Sequence, residues 1–533
     1  MPASPADRNT IQNEQQQLLE RNQQQRDSLQ NSITPRSIAP VPPATPDGPC
    51  FNIRQIAIEG ATLLSPSDRQ KLVAPWLNRC LNLATINQAT AAVSDWYISR
   101  GYITSRAFLP EQNLSSGILR MTVLEGKIEN IQLEGESSRA IKMAFPTRTG
   151  DILNLRSIEQ GMEQINRTRA QPVQIEIQPG SSPGWSVVNL TASPEFPLSL
   201  SLGYDNSGLK NTGTGQITAG ITGNNLLGLA DRWYISGGRS SAFSPHRDAQ
   251  TFQTGVSVPW GWWLFSYDYS WSNYHSTIDN QGWRWDTRGA TENHRLNIDR
   301  VLFRNGDIKT AADIGITHRI TRNYLQDVML ESSSRKLTSL QLGLSHTQKV
   351  AGGIATFNPT YSHGMPWLGA ENDHHKHGDV PKAEFSKWSL SGSFQRYLSE
   401  NAWWLSSFYL QWSPDRLYGS ERLTLGGESS VRGYKEQYLF GDNGGYLRNE
   451  LNYSLFTLPF VGEVSAFVAL DGGWLKHDND DALAAGTVWG AAAGLGTSHR
   501  RYSTRFTMGT PVSYPSELKP DTLSIYYRIA LVL

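Results

Sequence analysis

The sequence lacks any long apolar run: no window of 18 or more consecutive apolar residues occurs in its 533 residues. A transmembrane helix needs about 20 such residues, so helical membrane spans are excluded. Mean hydropathy is −0.43, a value typical of soluble proteins. A transmembrane β-barrel gives an equally low value, because only alternate residues of each strand face lipid. Hydropathy therefore leaves both a soluble protein and a membrane barrel open.

Neither sign of charge is in excess, with 48 Lys and Arg residues against 48 Asp and Glu residues. There is no basic run and no nucleic-acid recognition motif, so nucleic acid is not an expected partner. No GxxxxGK[ST] loop is present, which argues against a nucleotide-driven motor. No Ser/His/Asp or Cys/His set has motif-level support, so we predict no catalytic residue, no cofactor and no enzyme activity.

One histidine group is the candidate for a metal site. His374, His375 and His377 lie near Asp373 and Asp379, which are possible further ligands. Charged residues in a loop are more often solvated than bound to metal, and a metal site is therefore not predicted.

Cysteine is scarce, and a secretory signal is absent from the N-terminus. The first four residues, MPAS, have neither a charged nor an apolar region, so we expect the chain to begin near the terminus of the mature protein. The two cysteines are Cys50 and Cys80. Outside the cytoplasm such a pair favours a disulfide, which contributes about 3–4 kcal/mol by restricting the unfolded chain. Two buried free thiols are the alternative.

Aromatic residues are abundant, with 17 Trp and 20 Tyr, mostly after residue 195. Aromatic girdles at the two interfaces of a membrane barrel account for such an excess. A Trp-rich carbohydrate-binding β protein accounts for it equally well. Composition alone does not separate these two classes.

Within the N-terminal segment 1–30, residues 5–30 are predicted to form one polar helix. Ser4 can cap it, Pro5 suits its first position and Asp7 lies in its first turn. The helix is rich in glutamine and poor in apolar residues, so it can neither face lipid nor pack a core. At about 35–40 Å in length it fits inside a water-filled barrel lumen as a plug. A solvated, partly disordered tail is the alternative.

Two small α/β units follow the helix. Residues 31–49 contain six prolines and are predicted to be an extended, semi-rigid linker. The segments 50–125 and 126–194 then each have the pattern strand, helix, helix, strand, strand, and Glu134-Gly135 repeats Glu59-Gly60 at the end of the first strand. This is an internal repeat. The edges of such sheets can accept a partner strand by β-augmentation.

From residue 195 to 533 the pattern changes to alternating strands of about ten residues, which predicts a 16-stranded antiparallel transmembrane β-barrel. The strands begin near residues 198, 214, 232, 250, 263, 294, 308, 337, 354, 384, 403, 446, 463, 487, 504 and 522. Even-numbered strands are followed by short connections, and most odd-numbered strands by long ones, such as 272–292, 363–383 and 413–444. Short periplasmic turns and long outer loops are typical of outer-membrane barrels, whereas a soluble sandwich has no reason to alternate.

The long connection at 413–444 contains the most specific motif, Val431-Arg432-Gly433-Tyr434, preceded by Leu425-Gly426-Gly427. A second motif, Leu470-Asp471-Gly472-Gly473, lies on the thirteenth strand. With these motifs in this architecture the chain closely resembles the TpsB outer-membrane transporters of two-partner secretion, in the Omp85 superfamily. Gly441-Asp442 and Glu450-Leu451 also match the family pattern. Ala469 departs from it, because the superfamily usually has Phe or Gly there.

The resemblance covers nearly the whole chain and implies a plug helix, two POTRA domains and a barrel whose sixth extracellular loop is 413–444. Alternation places Val468 and Leu470 toward lipid and turns Asp471 into the lumen. In the family the loop arginine pairs with that carboxylate, so the resemblance pairs Arg432 with Asp471, beside Gly473. A bidentate bond of this kind would lock the loop tip inside the barrel.

The resemblance also implies the function. Members export one large partner exoprotein, unfolded, after the periplasmic POTRA domains recognise it. The nearest resemblance is to CdiB-type transporters of contact-dependent inhibition toxins, so a CdiA-like exoprotein is the expected cargo; a haemolysin or adhesin is the alternative. Outer-membrane lipid and the barrel assembly machinery are further expected partners. An outer-membrane protein insertase, a diffusion porin and a surface sugar-binding protein or enzyme are less favoured.

Overall fold

The structure, a computed structural model, describes residues 3–33, 48–478 and 480–533. Most of the segment predicted as a linker, 31–49, lies outside these residues. The α-helices are α1 (Pro5–Gln30), α2 (Pro66–Val73), α3 (Leu83–Ser99), α4 (Arg139–Ala144) and α5 (Leu155–Asn166). No helix among the described residues has the length and apolar character needed to cross a membrane.

The strands fall into two groups. Those that precede the barrel are β1 (Phe51–Ile53), β2 (Gln55–Glu59), β3 (Arg79–Leu81), β4 (Arg106–Phe108), β5 (Ile118–Leu124), β6 (Lys127–Leu133), β7 (Gln174–Pro179) and β8 (Trp185–Thr191). Those from residue 198 onward are β9 (Leu198–Asp205), β10 (Gln216–Asn224), β11 (Arg232–Ser240), β12 (Arg247–Trp260), β13 (Trp263–Asn280), β14 (Trp283–Arg304), β15 (Ile308–Leu325), β16 (Val328–Met329), β17 (Arg335–Val350), β18 (Gly353–Met365), β19 (Ser386–Tyr397), β20 (Ala402–Trp412), β21 (Leu423–Leu425), β22 (Leu439–Gly441), β23 (Gly444–Leu458), β24 (Gly462–Leu475), β25 (Gly486–Ser498), β26 (Tyr502–Ser513) and β27 (Ser524–Val532).

Helix α1 begins and ends near the predicted residues. The Ser4 side chain accepts the backbone N–H of Asp7 at 3.1 Å, and Pro5 occupies the first turn, where its missing N–H has no consequence. The helix ends at Gln30, where the backbone N–H of Asn31 still donates to the carbonyl of Asp27 at 3.2 Å.

Two small domains repeat one topology, as the sequence predicts. In the first, β5 lies between β2, its parallel neighbour, and β4; in the second, β8 lies between β6 and β7 in the same way. Each domain has its own core. Tyr97 of α3 is buried with Leu119 of β5, and Ile158 of α5 is buried with Val188 of β8.

The first domain departs from the predicted pattern at one place. Its first predicted strand is interrupted at Arg54 and divides into β1 and β2, and β1 pairs with β3 instead of the main sheet. A disulfide between Cys50 and Cys80 joins the start of β1 to β3, with a Cα–Cα distance of 5.2 Å. The free-thiol alternative is therefore wrong in this structure.

Sixteen long antiparallel strands close into a barrel, which confirms the predicted fold class. They are β9–β15, β17–β20 and β23–β27; the two-residue β16 pairs with β15. The barrel closes where β27 pairs with β9, residues 528–532 against 201–205. Closure pairs the edge strands with each other, which is what allows strands to stand in hydrocarbon.

The connection predicted at 272–292 is not a loop. β13 and β14 stay paired through it, up to Asn280 opposite Trp283. The turn consists of Gln281 and Gly282, whose φ values of 51° and 81° suit a two-residue hairpin. The charged residues of this stretch lie on a ribbon above the membrane, where they face water on the strand surface. Strand β14 therefore begins eleven residues before the predicted 294.

The second small domain lies against the short-turn end of the barrel. The side-chain amides of Gln160 and Gln164, on α5, donate to the carbonyl of Gly261 at 3.1 and 3.2 Å. Gly261 lies in the turn between β12 and β13. The short turns and the small domains are thus on one side of the barrel, and the long connections are on the other.

Candidate functional site

Residues 413–444, which connect β20 to β23, fold into the barrel, and we call them the inward loop. Strands β21 and β22 pair with each other within it. Leu425, Val431 and Leu439 of this loop are buried together with Leu475 of β24 and Val488 of β25. The inward loop thus has a small apolar core of its own, shared with the barrel wall.

Arg432 in the inward loop forms a two-pronged ion pair with Asp471 on β24. Its Nε donates to Asp471 Oδ2 at 2.7 Å, and its Nη2 donates to Oδ1 at 2.8 Å. The backbone N–H of Arg432 also donates to Oδ2, at 3.0 Å. Exposures are 1% for Arg432 and 0% for Asp471. Because a bidentate bond fixes both position and orientation, the loop is attached to the barrel wall here.

Glu450 on β23 supplies a second carboxylate to the same guanidinium. Arg432 Nη1 donates to Glu450 Oε1, and Arg505 of β26 donates to that oxygen at 3.2 Å. Arg505 also stacks on Phe467, with 4.4 Å from its Cζ to the ring centroid. Glu450 is buried, so it needs these cations as partners.

Arg448 holds the inward loop from a neighbouring position. It lies opposite Asp471 in the β23–β24 register. Its Nη1 donates to the carbonyl of Glu428 at 2.6 Å and to that of Ser430 at 3.2 Å. The β23–β24 pair therefore binds the inward loop in two ways. Asp471 binds the side chain of Arg432, and Arg448 binds backbone carbonyls of the loop.

The next two residues of the motif also contact the wall closely. Gly433 has φ of 106°, and a Cβ there would lie 2.6 Å from the carbonyl oxygen of Thr510, so a side chain is excluded. The Tyr434 hydroxyl lies 2.6 Å from the carbonyl oxygen of Trp489 and 2.8 Å from that of Ser513, and donates to these acceptors.

Glycines on three wall strands leave room for the loop. A Cβ on Gly490 would overlap the carbonyl oxygen of Arg432, and one on Gly509 would lie 2.7 Å from the backbone nitrogen of Gly433. At Gly473 a Cβ would lie 2.9 Å from a methyl of Leu425. Gly473, the final residue of the second motif, is thus needed for packing.

The N-terminal half of α1 contacts the inward loop. Arg8 stacks on Tyr438, with 3.6 Å from its Cζ to the ring centroid, and its Nη2 donates to the carbonyl of Gly426 at 3.0 Å. Gln15 donates to the carbonyl of Thr424 at 2.9 Å. Arg8 and Gln15 are both buried, so this half of the helix lies in the barrel interior.

The C-terminal half of α1 contacts the barrel wall. Arg21 donates to Asp313 of β15 at 3.3 Å, and the side chain of Asn22 accepts from Asn358 of β18 at 2.8 Å. Arg26 donates to two side chains of β19. Polar side chains on inward-facing positions of three strands thus replace water around the helix.

Arg319 of β15 joins the helix, the loop and the wall. It donates to Glu14 of α1 at 2.9 Å and to Glu421 of the inward loop at 3.1 Å. Lys387 of β19 donates to Glu421 at 2.7 Å. Movement of either the helix or the loop therefore breaks an ionic bond at this position.

A second junction lies at the other end of α1. Glu163 of α5 accepts hydrogen bonds from Ser28 at 3.0 Å, from Lys309 at 2.6 Å and from Arg304 at 2.7 Å. Burial alone raises the pKa of Glu163, but the Lys309 ammonium and the Arg304 guanidinium outweigh it and hold that pKa at about 2. One carboxylate thus links α1, the second small domain and the barrel.

The sequence did not point to Arg448, Arg505 or Glu450 as site residues, although Glu450-Leu451 matched the family pattern. Two buried carboxylates around one arginine need further cations, and the alternation of β23 turns both Arg448 and Glu450 inward. The cross-strand register would have been required to place them beside Asp471, and register cannot be derived from alternation alone.

The histidine group does not form a metal site among the described residues. No group of three or more His, Cys, Asp or Glu side chains there is arranged to hold a metal ion. Asp373 instead pairs with Lys376 at 2.9 Å and accepts the backbone N–H of Ala383 at 2.8 Å, so it fixes the conformation of its own loop.

A closed barrel that holds a helix and an inward loop, preceded by two small α/β domains, defines a protein-transporting pore of the bacterial outer membrane. The chain belongs to the family of haemolysin secretion/activation proteins ShlB/FhaC/HecB, whose model matches residues 184–497. A ShlB-type POTRA model matches residues 51–126, and a second POTRA model matches residues 127–179.

The similarity to known proteins extends over nearly the whole length of the chain. The chain is 57% identical over 532 residues to the outer membrane transporter CdiB of Escherichia coli, and the alignment covers 99% of this chain and 90% of the relative. It is 48% identical to CdiB of Dickeya dadantii (strain 3937), over 99% of this chain and 95% of the relative. The solved structure of CdiB from Escherichia coli matches with a TM-score of 0.97 at 57% identity and covers 100% of both chains. The predicted family, fold class and outer-membrane location, with the POTRA domains in the periplasm, are confirmed.

Proposed function

We propose that this chain exports one large partner exoprotein, a contact-dependent inhibition toxin, across the outer membrane by two-partner secretion. The observation that carries the proposal is the 57% identity to a CdiB transporter along 99% of the chain. The chain performs no catalytic step in this scheme. It provides a route, and folding of the cargo outside the cell draws the polypeptide through.

The POTRA domains, 50–125 and 126–194, receive the cargo in the periplasm. The edge strands of the two sheets are β2 and β4 in the first domain and β6 and β7 in the second, and the start of β6 is partly covered by residues 150–152. An extended segment can add to such an edge through main-chain hydrogen bonds, without a preformed pocket. Insertion by the barrel assembly machinery and contact with outer-membrane lipid belong to the same proposal.

The segment 1–30 acts as a plug, and 31–49 acts as its linker to the first POTRA domain. Helix α1 occupies the lumen of the barrel 195–533 together with the inward loop 413–444, which supports a closed resting state. An extended polypeptide needs that space, so α1 has to leave and the inward loop has to shift. The shared bonds at Arg319 and Glu163 favour joint movement of helix, loop and second POTRA domain.

The motif residues hold the inward loop in place. Val431 packs in the apolar core, Arg432 binds Asp471, Gly433 permits close approach and Tyr434 binds two strands through its hydroxyl. Gly473 leaves the space that the loop fills. We assign these residues the role of setting where the loop returns after each export event.

The test is co-expression with a large CdiA-like exoprotein, in a host without two-partner transporters of its own. Exoprotein on intact cells is measured with an antibody, and growth of co-cultured sensitive bacteria is measured in parallel. We expect surface exoprotein and inhibited neighbours with the full chain. A variant that lacks 51–193 but retains a heat-modifiable barrel should leave the exoprotein in the periplasm. Equal surface exoprotein with both chains would contradict the proposal.

Export of a haemolysin is the second candidate, favoured by the description of the matching family as haemolysin secretion/activation proteins. The same cells separate the two functions. Lysis of erythrocytes without inhibition of neighbouring bacteria would favour the haemolysin, and the reverse result would favour the toxin.

A further inference from the structure

The outer surface of β14, β15 and β17 has an apolar band that identifies the lipid-facing positions. Leu296, Ile314 and Leu342 are 56%, 53% and 45% exposed. They lie side by side on neighbouring strands, because Leu296 pairs with Ile316 and Ile314 pairs with Leu342. Exposed leucine and isoleucine on consecutive strands of a membrane barrel contact acyl chains.

A row of polar rings lies beyond this band, on the side away from the POTRA domains. His294 lies between Tyr269 and His318, with ring centroids 5.0 and 6.4 Å away. The Tyr267 hydroxyl lies 2.7 Å from His294 Nδ1, and His318 Nδ1 lies 2.8 Å from the hydroxyl of Thr338. Amphipathic rings at this level mark the boundary between acyl chains and headgroups.

Two cations lie just beyond the rings on the same outward face. Arg322 is two residues beyond Ile320 on β15, and Ile320 pairs directly with Lys336 of β17. Diagonal neighbours of this kind have Cα atoms about 7–8 Å apart, so both head groups can reach one phosphate. Arg322 and Lys336 are exposed.

Their height also fits the headgroups of the outer leaflet. Lys309, at the periplasmic end of β15, is thirteen residues before Arg322. Thirteen residues at about 3.3 Å each, tilted by about 40°, rise about 33 Å, whereas the apolar band of such a barrel is about 25 Å tall.

Three other outward arginines on β11 and β14 have carboxylate partners, but these two cations do not. Arg239 pairs with Asp248 at 3.1 Å, Arg284 pairs with Asp279 at 3.5 Å, and Arg288 pairs with Asp327. Within residues 3–33, 48–478 and 480–533, the side chains of Arg322 and Lys336 have no ion pair.

Glu292 is the nearest outward carboxylate on the adjoining strand. It pairs in register with Ile320, so it lies diagonally from Arg322, with Cα atoms about 7–8 Å apart, and about two strand spacings, roughly 9–10 Å, from Lys336. The patch thus has two cations against this one carboxylate. Glu292 forms no salt bridge with either cation in the described part of the chain. The patch formed by Arg322, Lys336, His294 and His318 therefore keeps a net positive charge.

We propose that Arg322 and Lys336 bind the phosphate of an outer-leaflet glycolipid, a phosphorylated acylated glucosamine lipid of the lipid A type. The phosphate lies between the guanidinium and the ammonium, the histidine and tyrosine rings contact the sugar, and the acyl chains lie on Ile314 and Leu342. The position of the patch on the lipid-facing wall selects a membrane lipid over a soluble phosphate. The bound lipid fixes the β15–β17 side of the barrel in the membrane. This side has long paired strands, whereas β27 and β9 pair over only a short stretch.

The test uses the full chain purified in detergent, with native mass spectrometry to count bound bis-phosphorylated lipid A. A cation near an anionic headgroup strengthens binding by about fivefold, so R322S/K336S should bind roughly 25-fold more weakly. Arg300→Ser is the matched control, because Arg300 faces outward on β14 but stacks on Trp263 near the periplasmic end. Retained heat modifiability shows that each variant is folded.

Two further probes identify the source of the phosphate. Lipid A without phosphate should bind both chains equally weakly, and soluble glucosamine 1-phosphate should not displace bound lipid A. Equal binding of bis-phosphorylated lipid A by the double variant, or an equal loss with the Arg300 variant, would overturn the proposal. Full displacement by glucosamine 1-phosphate would overturn the assignment to a lipid.

Discussion

Arg8 of α1 lies flat on Tyr438 of the inward loop, and so the first turns of the helix are attached to the loop. Both residues are deep in the lumen, where Arg8 is 1% exposed. A desolvated cation–π contact contributes about 2 kcal/mol, more than one neutral hydrogen bond. The inward loop therefore helps to hold the helix in the lumen.

Removal of this contact should loosen the helix. In planar bilayers we expect Arg8→Ala to open more often than the wild-type chain, by up to roughly 30-fold, because loss of about 2 kcal/mol shifts the equilibrium by that factor. Gln24→Ala is the control, since Gln24 is exposed on the same helix. Identical opening frequencies in the two variants would show that Tyr438 does not retain the helix.

Deletion of residues 5–30 should raise the conductance of a single channel itself, and not only the frequency of opening. The helix fills space that ions then use, whereas Arg8→Ala leaves it inside the lumen for most of the time. Single-channel recording separates the two effects. A deletion variant with wild-type conductance would show that another part of the chain blocks the lumen.

Substitution of Arg432 should release the inward loop without unfolding the barrel. Arg432→Ala leaves Asp471 buried without its bidentate partner, whereas Glu450 keeps Arg505, and loss of a buried partner costs about 3–5 kcal/mol. We expect export to be lost, with cysteine accessibility labelling of the loop increased and heat modifiability retained. Arg432→Lys keeps the charge but not the two-pronged geometry, so its export should be intermediate.

Arg505→Ala is the comparison for that series. Its side chain is 44% exposed and contacts Glu450 alone among the carboxylates of the site. Solvent screens such a contact, and so we expect a loss of less than about 1 kcal/mol and nearly normal export. Equal defects in Arg505→Ala and Arg432→Ala would mean that net charge, and not the bidentate bond, holds the loop.

Acid should undock the second POTRA domain from the barrel. The Lys309 and Arg304 charges hold the pKa of Glu163 at about 2, below the ordinary value of 4.5. Stability from this depressed pKa is fully present above pH 4.5 and is lost as the pH falls from 4.5 toward 2. Hydrogen exchange of residues 155–166 should therefore accelerate across that interval.

The variant Glu163→Gln should show faster exchange already at neutral pH and a flatter acid response. Glu176→Gln is the control, because Glu176 is exposed on the edge strand β7. The coupling through Glu163 is refuted if Glu163→Gln and the wild-type chain exchange alike at pH 7.

The disulfide should stabilise the first POTRA domain. C50S/C80S opens a loop with a sequence separation of 30 residues, which corresponds to about 3–4 kcal/mol in the chain-entropy model. In pulse proteolysis of the full chain we expect residues 51–125 to be cleaved at lower urea concentration, with the barrel fragment unchanged. Unchanged cleavage would show that the β1–β3 pairing is sufficient without the bond.

Local patterns were enough to predict much of the fold. Alternation identified β24 and the inward direction of Asp471, and the capping residue Ser4 with Pro5 identified the start of α1. The ribbon over 272–292 was mistaken for a loop, because charges on a strand above the membrane resemble those of a connection. Its turn residues, Gln281 and Gly282, are weaker signals than Asn-Gly.

The site was predicted less completely, for a different reason. Arg432 and Asp471 were paired through the family resemblance, whereas Glu450, Arg448 and Arg505 depend on strand register. Arg8 and Tyr438 are more than 400 positions apart, and neither lies in a periodic apolar pattern. Polar contacts inside a lumen have no hydrophobic periodicity, so they can be located only when the barrel is assembled.

The glutamine-rich composition of α1 determines how the helix behaves after it leaves the pore. Each neutral contact that it makes with the wall is exchanged for water at a net change of about 0.5–1.5 kcal/mol, so the helix can withdraw by small successive steps. A leucine-rich helix of equal length would expose apolar surface on leaving the barrel and would aggregate in the periplasm. Glutamine side chains thus let one helix both fill the lumen as a plug and stay soluble after its release.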